Sequence, residues 1–308
     1  MIDVAIIGGG VAALSAAIYL ARAGKEVRVF DKGSFGGELN NIAEISNYPG
    51  FLGKGSELAE TMRKQAKTAG AEVVYGECTW VEKIDAKKGG IEGFRLTIDD
   101  ETQTAKKVLV ATGAEPKTLD FEIQKPVSYC AVCDGALAKG KDVAVVGGGN
   151  SAVQESLYLA GLARKVTMIV RSEVKADRAL RERLDSTDNI TVREHMESIA
   201  EVLEQFDHVF VFIGRKPATS FLEGIKEETL VEHAGLVNLE VTMERELLDA
   251  DGYIVTGTKR KSDYHETEIQ GLYAAGDVRS GTIKQAVVAA GDGVMAALEM
   301  IEALELTK

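Results

Sequence analysis

One short unit occurs twice in this chain, and the repeat fixes most of what the chain can fold into. Residues 4–10 read Val-Ala-Ile-Ile-Gly-Gly-Gly, and residues 143–149 read Val-Ala-Val-Val-Gly-Gly-Gly. The offset of 139 persists beyond the glycines: Ala13 matches Ala152, Tyr19 matches Tyr158 and Val27 matches Val166. Each apolar run reads as a buried strand. A helical pattern follows each (Ala13, Ala17 and Leu20; Ala152, Leu157 and Leu159), and then a second strand, Val27–Phe30 or Val166–Ile169. Strand, Gly-x-Gly-x-x-Ala turn, helix and strand make up the dinucleotide-binding unit. Gly8 and Gly147 permit the tight turn, while Gly10 and Gly149 let the backbone approach a pyrophosphate. Ala13 and Ala152 let helix and strand pack closely, and the helix N-terminus faces the anion.

The two copies differ where a ribose is read. Asp31 ends the second strand of the first copy, 23 residues after Gly8, and its carboxylate can accept ribose hydroxyls. The matching residue of the second copy is Val170, followed by Arg171. An apolar residue and a cation there disfavour a free 2′-hydroxyl and tolerate a 2′-phosphate.

Further runs show how the copies are nested. Val108–Gly113 is a strand ending in a small-residue turn, Val209–Gly214 closes the second copy, and Gly271–Asp277 is again strand then turn. A helical stretch is expected from Ile283 to Glu302, and nothing after residue 245 repeats the unit. The expectation is an α/β chain of two Rossmann-like dinucleotide-binding domains, the second inserted into the first. Residues 1–116 and 245–308 form the outer domain and residues 117–244 the inserted one.

Composition removes some functions. A net charge of −12 spread along 308 residues argues against binding a phosphate backbone, so no nucleic-acid partner is expected. No basic segment precedes an apolar leader and no run of eighteen apolar residues occurs, so a soluble, cytoplasmic chain with no membrane partner is expected. Three cysteines make no structural disulfide framework. Two of them form Cys130-Ala131-Val132-Cys133, followed by Asp134 and Gly135. A two-residue spacer at a helix start brings the sulfurs into bonding range and favours thiolate. Asp134 places a carboxyl group where protons must move during exchange. A zinc site would need a second ligand pair, and only Cys78 and four histidines without ligand spacing remain, so no metal is expected. Cys78 reads as a small buried apolar residue.

With these motifs in hand, the chain resembles the low-molecular-weight thioredoxin reductases, a family of FAD-dependent pyridine nucleotide-disulfide oxidoreductases, over nearly its whole length. The resemblance rests on Gly8–Ala13, Gly36-Gly37-Glu38-Leu39 with Asn47–Phe51, Ala111-Thr112-Gly113, Cys130–Gly135, Gly147-Gly148-Gly149-Asn150-Ser151-Ala152, and Ala274–Asp277 with Lys284-Gln285-Ala286. It implies FAD held by the outer domain, through Gly8, Gly10, Ala13, Asp31, Gly37, Asn47, Ala111, Thr112, Gly113, Gly276, Asp277, Lys284, Gln285 and Ala286. It implies NADPH on the inserted domain, at Gly147, Gly149, Asn150, Ser151, Ala152 and Arg171. It further implies a homodimer, a thioredoxin-like partner, Cys133 next to the flavin, Cys130 attacking the partner and Asp134 as acid/base.

The chain departs from the family at one place. NADPH-dependent members carry His-Arg-Arg-x-x-x-Arg after the second unit's second strand; here those positions read Val170, Arg171, Ser172 and Ala176. The stretch from Arg171 to Gly214 is also short, with one strand candidate at Ile190–Val192. Ferredoxin or another donor, or an oxygen-using dithiol oxidase of the same fold, are the alternatives to NADPH-dependent reduction.

Overall fold

The structure is a computed structural model, and it describes residues 1–42, 45–84, 92–222, 225, 247–257 and 264–306. The chain divides into two compact units, residues 1–114 with 217–308, and residues 115–216. The expected return at residue 245 lies outside the described residues. Phe221, Leu222 and Ile225 already bury in the core of the first unit, with Ile7 and Val110, so the chain is back in that unit well before residue 245.

The first unit is built on β1 (Ile2–Ile7), α1 (Val11–Arg22), β2 (Val27–Asp31), a hairpin of β3 (Ile45–Tyr48) and β4 (Phe51–Gly53), α2 (Gly55–Ala69), β5 (Glu72–Tyr75), β6 (Cys78–Ile84), β7 (Gly93–Ile98) and β8 (Glu101–Val110). Strands run in the order β5-β2-β1-β8-β7-β6. Val4 and Ile6 face one layer of helices, while Ala5 and Ile7 face the other side of the sheet. Burial on both faces is why β1 reads as an unbroken apolar run rather than an alternating one. β8 lies parallel to β1, and its first half pairs antiparallel with β7.

The chain leaves through β9 (Ala114–Pro116) and returns through β15 (Arg215–Pro217), which pair with each other. It then adds β16 (Leu272–Ala274), parallel to β8, and α7 (Ala286–Glu305). The helix begins at Ala286, three residues later than the periodicity predicts, because Lys284 and Gln285 serve a loop and Gln285 is extended. A Cβ on Gly293 of α7 would lie 2.1 Å from the carbonyl oxygen of Ala12 in α1. Backbone against backbone leaves no room for adjustment. Gly293→Val is therefore expected to lower stability by about 3 kcal/mol or more, read by denaturant unfolding.

The second unit is one parallel sheet in the order β10-β14-β11-β12-β13. Its elements are β10 (Val127–Ser128), α3 (Ala131–Asp134), β11 (Asp142–Val146), α4 (Asn150–Ala160), β12 (Lys165–Ile169), α5 (Arg178–Asp185), β13 (Ile190–Arg193), α6 (Ala200–Leu203) and β14 (His208–Val211). Val143 and Val145 face one cluster, Ala144 and Val146 the other. The Ile190–Val192 strand candidate is β13, at the sheet edge.

Candidate active site

The two glycine turns have the same geometry. Gly8 has φ +101°, and a Cβ on it would lie 2.4 Å from the carbonyl oxygen of Ala111. Gly147 has φ +138°, and its Cβ would lie 2.3 Å from the carbonyl oxygen of Phe212. Only glycine fits either position. Gly10 and Gly149, by contrast, face open space, since a Cβ on either meets nothing within 4 Å. α1 and α4 start at these residues with neither a capping side chain nor an acid in the first turn. Bare backbone, free N–H groups and an open approach fit the pyrophosphate of a dinucleotide in both units.

Asp31 holds the first turn together. Its carboxylate oxygens accept the N–H of Gly9 at 2.6 Å and of Gly33 at 2.7 Å. Each oxygen has a second lone pair with which to accept a ribose hydroxyl. In the second unit Val170 is buried and packs against Gly148, while Arg171 is exposed at the strand end. Ser151 is exposed, and the Asn150 side chain exchanges hydrogen bonds with Asp177 at 2.7 and 2.8 Å.

Distant parts of the first unit meet around its glycine turn. Gly37, at φ +53°, packs beside Gly10. The Asn47 amide donates to Gln285 at 3.3 Å across 238 residues. Lys284 donates to the carbonyls of Asp277 at 2.6 Å and Arg279 at 3.1 Å, which ties the 276–279 turn to the start of α7. A Cβ on Gly276 would lie 2.9 Å from that of Ala12, so this turn closes on α1. Ala111, buried, follows β8; Thr112 donates to the Ala218 carbonyl at 2.8 Å and Gly113 takes φ +72°. Ala13 is fully buried under the sheet and Ala286 opens α7. The Gly8, Ala111–Gly113 and Gly276–Asp277 turns follow the C-terminal ends of the parallel strands β1, β8 and β16, where open α/β sheets bind ligands.

A buried charge network not anticipated from the sequence braces this edge. Asp292 accepts the N–H of Gly276 at 2.6 Å and pairs with Arg279. His265 meets Asp292 through Nε2 at 2.9 Å and Glu299 through Nδ1 at 2.7 Å. Carboxylates only accept, so both ring nitrogens carry protons and the imidazole is a cation. Burial opposes that charge, but the two carboxylate hydrogen bonds outweigh it and raise the His265 pKa. Burial likewise works against an ionised Asp292, yet His265, the Gly276 N–H and Arg279 hold its pKa down. The histidine's contribution is fully present below about pH 6.5 and is lost as pH rises through its raised folded value. The aspartate's is present above its ordinary value and is lost as pH falls through the lowered one. His265→Gln is expected to cost about 2 kcal/mol at pH 6, with a smaller loss at alkaline pH, read as the pH dependence of thermal unfolding.

The cysteine pair sits at the corresponding edge of the second unit. β10 is locked to β14 by a buried hydrogen bond between Ser128 and His208, 2.9 Å. Burial, helped by Lys141, lowers the His208 pKa and favours neutral imidazole, against a smaller opposing pull from Asp134. Two residues on, Cys130 caps α3, its sulfur accepting the N–H of Cys133 at 3.2 Å. The two cysteines form a disulfide with Cα atoms 5.3 Å apart. Asp134 follows, half-buried, with its N–H on the Cys130 carbonyl. Cys130, Cys133 and Asp134 therefore share one turn. Cys78 is free and buried, and burial pushes its thiol up to about 12. It is expected to resist alkylation until the protein is unfolded, checked by mass spectrometry.

Comparison with known proteins bears on both units at once. The family model for pyridine nucleotide-disulphide oxidoreductases matches residues 2–293. The thioredoxin reductase of Bacillus subtilis (strain 168) is 36% identical over 322 residues, 96% of this chain and 92% of that protein. The thioredoxin reductase of Treponema pallidum (strain Nichols) is 34% identical over 96% of this chain and 94% of its own. Among solved structures, the thioredoxin reductase from Streptococcus pyogenes MGAS5005 superposes with a TM-score of 0.79 at 30% identity, covering 99% of each chain. The chain belongs to the pyridine nucleotide-disulphide oxidoreductase family. Within that family it falls in the low-molecular-weight thioredoxin reductase branch, as a flavoprotein oxidoreductase.

Proposed function

We propose that this enzyme reduces the disulfide of a thioredoxin-like protein, taking electrons from NADPH by way of bound FAD and the Cys130–Cys133 pair. The observation that carries the proposal is that pair: a disulfide capping a helical turn at the end of β10, in a unit whose central strand, β11, ends in the Gly147 turn. FAD, when bound, supplies the transfer of an electron pair between a nicotinamide hydride and the disulfide. Gly8, Gly10, Gly37 and the α1 N-terminus take its pyrophosphate, Asp31 its ribose, and the 276–286 segment the rest. Gly147, Gly149 and the α4 N-terminus take the pyrophosphate of the nicotinamide nucleotide, and Arg171 its 2′-phosphate.

The chemistry of the reduced pair follows thiol–disulfide exchange. Cys130 thiolate attacks one sulfur of the partner disulfide, and a mixed disulfide forms as the partner's S–S bond breaks. Cys133 then attacks the Cys130 sulfur, and the second partner thiolate leaves. Cys130–Cys133 is restored, and the partner has gained two electrons and two protons. Asp134 passes a proton to the leaving thiolate. The Cys130 sulfur already accepts the Cys133 N–H, a contact that also stabilises a thiolate there.

The enzyme works in the cytoplasm, where thiols are kept reduced, as a homodimer. Val287, Met295 and Leu298 leave an exposed apolar stripe along α7 that suits a second copy; light scattering should give twice the chain mass. A second donor is favoured by one observation. Of the basic positions that follow β12 in NADPH-dependent members, only Arg171 is kept, and reduced ferredoxin is the alternative source. The test is anaerobic reduction of the yellow protein by NADPH, NADH and reduced ferredoxin in turn. Rapid bleaching by NADPH is expected; no bleaching by either nucleotide would overturn that donor.

A further inference from the structure

The turn that follows β16 hangs on one carboxylate. Asp292 of α7 accepts the N–H of Gly276 at 2.6 Å through Oδ2. Its Oδ1 atom takes the Nε2–H of His265 at 2.9 Å and the Arg279 guanidinium. Glu299, one helical step further along α7, holds His265 from the other side. It accepts the ring Nδ1–H at 2.7 Å and the backbone N–H at 3.0 Å. The His265 carbonyl in turn accepts the N–H of Ala274 at 3.0 Å, which fixes this histidine to the strand that delivers the turn. The side chains of His265, Asp292 and Glu299 are 4%, 12% and 14% exposed, so water has little access with which to replace a bond that is lost.

The network is balanced in charge: His265 and Arg279 face Asp292 and Glu299. Other ionisable groups around it are engaged elsewhere or exposed. Glu266 accepts the N–H of Gly271 at 2.7 Å, and Lys107 of β8 lies over the Tyr273 ring. Lys284 donates to the Asp277 and Arg279 carbonyls, and Asp277 belongs to the turn itself. On α1, which packs against α7, Tyr19 and Arg22 are exposed; Lys25 after it pairs with Glu305. Removing the His265 proton would leave one ring nitrogen presenting a lone pair to a carboxylate, with one anion in excess. Burial leaves that repulsion poorly screened. The two carboxylates could not both stay on the ring, and the anchor of Gly276 would loosen.

We propose that His265 is a positioning residue for the flavin-binding turn: as an imidazolium it fixes Asp292, Asp292 fixes Gly276, and the chain holds FAD more tightly while His265 keeps its proton. The inference rests on the reading that the 276–286 segment belongs to the flavin site. It adds a linkage to that reading. If the proton favours flavin binding, bound flavin must equally favour the proton.

The experiment dilutes the flavin-loaded full chain and follows FAD release by fluorescence as a function of pH. Wild type should hold FAD with constant affinity while His265 is protonated, and about tenfold more weakly once it is neutral. His265→Gln cannot titrate there, so it should bind FAD weakly throughout and lack the transition. Glu299→Gln keeps the Asp292–Gly276 bond but removes one of the two anions, so its transition should fall at lower pH. Parallel profiles for wild type and His265→Gln, or an unmoved transition in Glu299→Gln, would overturn the proposal. If the variants do not fold, the wild type decides by nuclear magnetic resonance of the histidine ring. A tenfold difference in affinity requires the His265 pKa to lie about one pH unit higher with FAD bound than after its release, and equal values would overturn the proposal. None of these readouts uses thioredoxin. The expected transition without thioredoxin reduction would refute the functional reading alone, and parallel profiles with full activity would refute this inference alone.

Discussion

Cys130→Ser is expected to lower the rate of thioredoxin reduction by about 10³-fold or more, with flavin content unchanged. The reason is chemical. Serine cannot join Cys133 in a disulfide, so the electron pair has no sulfur–sulfur bond to enter. Nor is its hydroxyl acidic enough to serve as the nucleophile in exchange. The site is otherwise undisturbed, because the Ser128–His208 bond still delivers the loop and an oxygen at position 130 can cap α3 and accept the Cys133 N–H. Steady-state assays with thioredoxin and the flavin spectrum check the two halves of the expectation. Activity within tenfold of wild type would remove Cys130 from the mechanism.

Gly8→Val is expected to weaken flavin binding by about 10²-fold or more, so that the protein purifies largely colourless. Two independent penalties act. The backbone at φ +101° is one that side chains with a Cβ avoid, and the Cβ itself would meet the Ala111 carbonyl oxygen at 2.4 Å. Neither partner can step aside. Gly8 donates to Phe30 at 2.8 Å, and Ala111 donates to Ile7 at 2.8 Å, so a shift of the turn breaks the joints of three strands. The matched change in the second unit separates the cofactors. Gly147→Val meets the same conflict with the Phe212 carbonyl, yet it should leave the flavin bound and slow its bleaching by NADPH by about 10²-fold. Equal flavin retention in Gly8→Val and wild type, measured by absorbance per chain, would contradict the first expectation.

The parts legible in the sequence were those set by local rules. The glycine turns could be read because the tight approach of backbone to backbone at Gly8 and Gly147 admits no other residue. The sheets could be read because strands buried on both faces must be continuously apolar. The cysteine turn could be read because both sulfurs and Asp134 lie within five residues. What depends on distant partners was not legible. Pro217–Leu222 returns the chain to the first unit through a few buried residues too short to show a period. The His265–Asp292–Glu299 network joins positions 27 and 34 residues apart, and its sequence signal is slight: an acid, Asp292, set between Gly291 and Gly293 in a largely apolar helix.

The most direct test of electron flow is an anaerobic dithionite titration of the flavin-loaded protein, comparing wild type with Cys133→Ser. One disulfide holds two electrons, so wild type should consume about two more electrons per chain before its reduction is complete. Identical end points for the two proteins would show that the cysteine pair receives nothing from the flavin.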